Sequence, residues 1–237
     1  MSESSYALRM SRLATGIQLS GLHALALNPG SSLTYLTGLH FHLSERPVVG
    51  LFVPHAPPVL VIPELEAAKA RQLSFAAQVF AYGEDPTTWQ AVFQQACLAA
   101  GLQPGRKAGY EPRGMRMLEY DLLAQSAPGC DFQPAPAVVA DLRVRKDKGE
   151  VENMRKAVHI AQSALEATLP VIKTGITERE IASELTLQVL RAGSDPTLPF
   201  APIVASGPNS ANPHATPTDR RLQTGDLLVI DWGAAYD

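Results

Sequence analysis

The chain has 237 residues, 46% hydrophobic and 18% charged, which supplies a real core and excludes a disordered chain. A formal net charge of −3 and a pI near 6.1 exclude the basic footprint of a dedicated nucleic-acid binder. No stretch approaches the ~18 uninterrupted apolar residues of a membrane span, and the polar start MSESSYALRMSR lacks the apolar core of a secretory signal. Two cysteines, Cys97 and Cys130, are too few for a disulfide framework, which suits a reducing cytoplasm.

In chain order, residues 6–19 predict a modest amphipathic helix, and the run LHALALN predicts a strand ended by Asn28-Pro29-Gly30. PVVGLFV (47–53) and PVLVI (58–62) read as a hairpin, since β-branched runs flank Pro54-His55-Ala56-Pro57. Pro63 with Glu64 and Glu66 suits the start of a helix. Strand-like AQVFAY, a helical stretch 87–100, strand-like RKAGY and a helical stretch 115–125 follow. This alternation predicts an α/β layered domain. The segment SAPGCDFQPAP (126–136) reads as a loop, AVVADLRV (137–144) as a short strand, and RKDKGE as a charged hinge.

Two capped helices are expected next. Asp147 and Glu150 have the spacing of a capping box, and Val151, Met154, Val158, Ala161, Leu165 and Leu169 form one apolar stripe expected to be buried, up to Gly175. Thr177 and Glu180 make a second box, followed by Ile181, Leu185 and Val189 until Gly193. From residue 196 to 217 six prolines stiffen the connections. Residues 200–205 and 227–230 read as strands, the second a buried one, with Asp231 at its end.

Two residues in this last segment are candidates for chemistry. A carboxylate at the end of a buried strand needs a cation or several donors, because an unpaired buried charge is costly. Position alone also allows Asp231 to be a simple cap. His214 sits in ANPHAT between Pro213 and Pro217 on a stiffened loop; by itself a loop histidine is more often a surface residue than a catalytic one. Near His23, His40, His42 and His55 nothing in the sequence suggests a site, and His159 lies on the charged flank of its helix. His40-Phe41-His42 has strand-ligand spacing but no neighbouring carboxylate or thiol.

Together, Phe200, Ile203 to Gly207, Asn209, Ser210, Pro213 and His214, then Arg221-Leu222, Gly225-Asp226 and Asp231 to Ala234, resemble the metallopeptidase family of aminopeptidase P, prolidase and methionine aminopeptidase. The run LRVRKDKGEVENMRKAVHIAQSALEA is similar to the family's leading helix, and YLTGL with RPVVGLFVP and PVLVIPELE is similar to the N-terminal domain of the Xaa-Pro branch. The resemblance implies a creatinase/prolidase-like α/β domain over residues 1–140 and the first part of a pita-bread α+β domain over 141–237. It also implies two divalent metal ions, Mn²⁺ first with Co²⁺ or Zn²⁺ also fitting, and hydrolysis of proline-containing peptides. Asp231 matches the first metal-ligand Asp and His214 the active-site histidine facing the substrate; a homodimer without nucleic-acid or membrane partners is expected. Asp237 matches a variable polar position and takes no ligand role; the later ligands are not reached, so residues 1–237 alone are expected to be inactive. Within the same fold, a creatinase-like metal-independent amidinohydrolase and a non-catalytic peptide- or protein-binding module are the alternatives.

Overall fold

The alternating pattern of the first 145 residues folds into a mixed sheet with helices on both faces. The structure, a computed structural model, describes residues 3–236, with side chains from residue 6; Asp237 lies outside the described residues. The chain divides into two compact units, Met1–Arg145 and Lys146–Asp237.

In the first unit, strands β1 (Ala24–Leu27), β2 (Val49–Phe52), β3 (Val59–Pro63), β4 (Gln78–Tyr82), β5 (Lys107–Tyr110) and β6 (Asp131–Pro134) form one sheet in the order β4-β3-β2-β1-β5-β6. The expected hairpin is β2–β3, antiparallel with Val49 opposite Val61. β1 pairs antiparallel with β2 and parallel with β5. Every residue of β1, β2 and β3 is buried, so these strands read as continuous apolar runs, as strands covered on both faces do. Side chains alternate between the faces. Leu25, Leu27, Phe52, Leu60 and Ile62 meet one group of helices: α1 (Glu3–Leu19) through Leu13 and Ile17, α2 (Ser31–Thr37) through Leu33 and Leu36, and α5 (Pro136–Val144) through Val138, Val139 and Leu142. Ala24, Ala26, Val49, Leu51, Val59 and Val61 meet α3 (Trp89–Ala99) through Phe93, Ala96 and Cys97, and α4 (Met117–Ser126) through Leu123. Glu119 of α4 is fully buried and ion-paired to Arg116, whose Nη1 also donates to the Ser44 carbonyl, so its charge is compensated.

Three local expectations are corrected in this unit. The segment 126–136 is not all loop, because it contains β6, which pairs parallel with β5; Pro134 is tolerated there because an edge strand has no partner for the missing N–H. AVVADLRV is helical and not a strand. Pro136 presets the first turn, and Val138, Val139 and Leu142, three and four residues apart, land on one face, each about 5% exposed. The β-branched pair misled the strand reading, because packing against the sheet outweighs a weak local propensity. Glu64–Gln72, expected as an ordinary helix, is a 3₁₀ segment with no buried residue.

In the second unit, both predicted capping boxes form. Asp147 accepts from the Glu150 N–H while Glu150 accepts from the Asp147 N–H, opening α6 (Lys148–Thr168). Thr177 and Glu180 do the same for α7 (Glu178–Arg191). Ile181, Leu185 and Val189 are fully buried, as their spacing predicts. The stripe expected along α6 is corrected: Met154, Val158 and Leu169 are 54–55% exposed, and the buried residues are Ala164 and Thr168. Ala164 packs with Leu185 and Val189 of α7, while Val151, Ala161 and Leu165 of the stripe are half-buried. The helix also stops at Thr168, where Leu169-Pro170-Val171 turns as a 3₁₀ segment, so Gly175 lies beyond it. β7 (Ile203–Ser206) and β8 (Leu228–Asp231) form a two-stranded antiparallel sheet.

Candidate functional site

The two residues singled out by sequence lie on different pieces of the second unit. Asp231 is the last residue of β8, opposite Ile203 of β7. The expectation of a buried strand is corrected here. Leu228 and Ile230 are half-buried, while Val229 and Asp231 are exposed, so β8 alternates and is covered on one face only. Asp231 is exposed in this chain. His214 is likewise exposed, at the turn where its N–H donates to Asn212 Oδ1 at 3.0 Å. No hydrogen bond joins His214 to Asp231 among the described residues.

The loop that carries His214 is organised by Glu178, the first residue of α7, which carries no signal of its own in the sequence. Glu178 is fully buried. Its Oε1 accepts from the Ser206 N–H at 2.7 Å, Ser206 Oγ at 2.8 Å and Asn209 Nδ2 at 3.1 Å. Its Oε2 accepts from Asn209 Nδ2 at 3.1 Å, the Thr218 N–H at 3.0 Å and Thr218 Oγ1 at 2.6 Å. One carboxylate thus ties together the start of the loop, at Ser206 and Asn209, and its end, at Thr218. Burial by itself would raise the pKa of Glu178. The donors from Thr218 and Ser206 more than offset this and hold it at about 2.

The backbone reinforces the arrangement. The Glu178 and Arg179 N–H groups, orphaned donors at the start of α7, donate to the Arg220 and Thr218 carbonyls at 3.1 Å each. Arg220 Nη1 donates to Ser206 Oγ at 2.6 Å, and Nη1 and Nη2 together form a two-point ion pair with Asp226. The turn at Gly207 has φ 51°, and a Cβ there would lie 2.6 Å from both Arg220 Nη2 and Asp226 Oδ1. Only glycine fits that close approach. Within the loop, Ser210 Oγ donates to the Gly207 carbonyl at 2.6 Å, and the Asn212 N–H to the Asn209 carbonyl at 3.0 Å. His214 is thus presented outward from a loop fastened at both ends.

This donor set does not by itself hold a metal ion: among the described residues, no group of three or more His, Cys, Asp or Glu side chains converges. Asp231 contributes a single exposed carboxylate. His40 and His42, with the spacing of strand ligands, belong to no such group. Among the described residues the two cysteines are free, Cys97 buried and Cys130 half-buried, and no helix is long and apolar enough to cross a membrane.

Residues 9–145 match the model of the creatinase/prolidase N-terminal domain, and residues 152–237 match metallopeptidase family M24. The chain is 39% identical over 107 residues to an Xaa-Pro dipeptidase of Pyrococcus furiosus, which covers 45% of this chain and 30% of that protein. It is 31% identical over 240 residues to a probable dipeptidase PepE of Mycobacterium bovis, covering 98% of this chain and 60% of that one. The crystal structure of a prolidase from Thermococcus sibiricus is similar with a TM-score of 0.86 at 26% identity, over 98% of this chain and 62% of that chain. The chain spans about three fifths of the length of the curated relatives it matches end to end.

Proposed function

The chain belongs to the creatinase/prolidase family, its N-terminal domain followed by residues of metallopeptidase family M24, and from this premise we propose that the protein is a metal-dependent exopeptidase hydrolysing Xaa-Pro peptide bonds. The observation that carries the reading is the fastened loop: His214 is held exposed on a segment whose two ends share one buried carboxylate. Relatives named Xaa-Pro dipeptidase support the choice of substrate class. In this reading His214 donates a hydrogen bond to the substrate oxygen on which negative charge develops, the kind of preorganised contact that accelerates acyl transfer. Asp231 serves as the first carboxylate ligand of a pair of divalent ions, Mn²⁺ first and Co²⁺ or Zn²⁺ as substitutes, which supply Lewis acidity when bound. One carboxylate does not hold such a pair, so residues 1–237 alone bind metal weakly and release nothing from an Xaa-Pro peptide. We place the protein in the cytoplasm, on its two free cysteines, as a homodimer whose mass light scattering measures.

The test uses the whole gene product with an Xaa-Pro dipeptide and a longer Xaa-Pro-Yaa peptide, with and without Mn²⁺. Metal-dependent release of the residue before proline is expected. His214→Ala is expected to lower kcat roughly 100-fold or more with a smaller change in KM, and Asp231→Asn to abolish metal dependence together with activity. Full activity after exhaustive chelation would instead favour the metal-independent, creatinase-like chemistry. Tight capture of peptides without turnover would favour a binding module.

A further inference from the structure

We propose that Glu178 is a positioning residue for His214, a buried anionic pin that fastens the 206–218 loop at both ends and so sets where the imidazole meets substrate. This rests on the functional reading above for the role of His214, but the geometry stands apart from it. Glu178 is fully buried at the first turn of α7. It accepts side-chain and backbone hydrogen bonds from Ser206 and Thr218 and side-chain bonds from Asn209, at 2.6–3.1 Å. These donors lie on both sides of His214 in the chain and on neither of its neighbours Pro213 and Ala215. Among the described residues, the stretch 210–217 between them is held by short turn contacts: Ser210 to Gly207, Asn212 to Asn209, and His214 and Ala215 to Asn212. This stretch has little apolar packing of its own, Ala215 being the one buried residue described between 210 and 217. Its placement therefore depends on its ends, and both ends converge on Glu178. Arg220 extends the pin by bridging Ser206 Oγ to Asp226, so the pin is tied to the turn that leads into β8.

An alternative account makes Glu178 a fold-stabilising group with no bearing on His214. The two accounts differ in what a mild change at Glu178 disturbs. Glu178→Gln keeps the shape but turns one acceptor into a donor facing donors. Thr218→Val and Ser206→Ala each remove hydroxyl donation while leaving the carboxylate, and they serve if the glutamine variant folds poorly.

The experiment compares hydrogen–deuterium exchange and the His214 ring NMR signals in the full chain and in these variants. The expected result is a rise of roughly 30-fold or more in exchange at the amides of 209–218, with Leu185 and Val189 in α7 unchanged. A shifted or broadened His214 ring signal, with that of His159 unmoved, is expected beside it. Unchanged loop exchange, or an equal rise in the core of α7, would overturn the proposal. In the whole gene product, the Glu178→Gln effect on kcat is expected to disappear in a His214→Ala background, where it falls to about 2-fold or less. Loss of activity on His214→Ala with an undiminished Glu178 effect overturns this inference alone. Unimpaired hydrolysis by His214→Ala overturns the functional reading and the catalytic part of this one together.

Discussion

At the residue scale, the burial of Glu178 among five donor groups makes the second unit sensitive to acid. Its pKa is held at about 2, below its ordinary value of 4.5. A depressed folded-state value contributes stability that is present above the unfolded value and is lost as pH falls from about 4.5 toward 2. Urea denaturation of the chain at pH 7 and at pH 3 is expected to show this loss, and Glu178→Gln is expected to flatten it. Glu178→Ala leaves the buried Ser206 donors without their acceptor and frees the half-buried Asn209 and the more exposed Thr218, and is expected to cost on the order of 1–3 kcal/mol at pH 7. The cysteines give a second check in the first unit. Burial, with a smaller effect from nearby Cys130, pushes the Cys97 thiol up to about 12. Burial also raises that of Cys130, though less completely. A thiol reagent at pH 8 is therefore expected to modify Cys130 slowly and Cys97 only after unfolding.

At the element scale, the two capping boxes formed as read, whereas the buried stripe and Gly175 end of α6, the ordinary helix at 64–72 and the strand at 137–144 did not. The capping boxes at Asp147 and Thr177 need only residues three apart, so they are legible without a fold. Thr177→Ala is expected to cost about 1 kcal/mol in a denaturant titration. The stripe on α6 shows the opposite case. Periodicity says that a face is apolar, but not which part of it another element will cover. Met154→Gln, on an exposed position, is expected to change stability by less than about 0.5 kcal/mol, whereas Ala164→Leu at the buried contact is expected to cost about 1–3 kcal/mol. The strand reading of 137–144 failed for a related reason. Two adjacent valines favour a strand slightly, yet burying Val138, Val139 and Leu142 on one helical face stabilises the alternative by several kcal/mol.

At the scale of the whole molecule, the RKDKGE stretch, exposed at Arg145 and Lys146, marks the division between two units that each have their own core. Arg145 and Lys146 are exposed and lie between the end of α5 and the N-cap of α6. Brief trypsin treatment is expected to cut there first, with both halves keeping cores resistant to further cleavage, as mass spectrometry of the fragments would show; scattered early cuts within the sheet of the first unit would contradict it. The layered α/β character of the first unit was already present in the sequence, because strands buried on both faces and short amphipathic helices leave periodic and apolar-run signatures. His214 and Asp231 were also visible there, as members of a recognisable linear motif. Their surroundings were not. Asp231 looked buried because Leu227 to Ile230 are apolar, but a two-stranded sheet covered on one face leaves alternate side chains in solvent. Glu178 was not singled out by the sequence at all, because its partners Ser206, Asn209 and Thr218 lie 28 to 40 positions away along the chain. Local signals determine caps, turns and apolar periods, since these act over a few residues. Burial and hydrogen bonding between distant segments are decided only when the chain has folded, and that is where the fastening of the His214 loop resides.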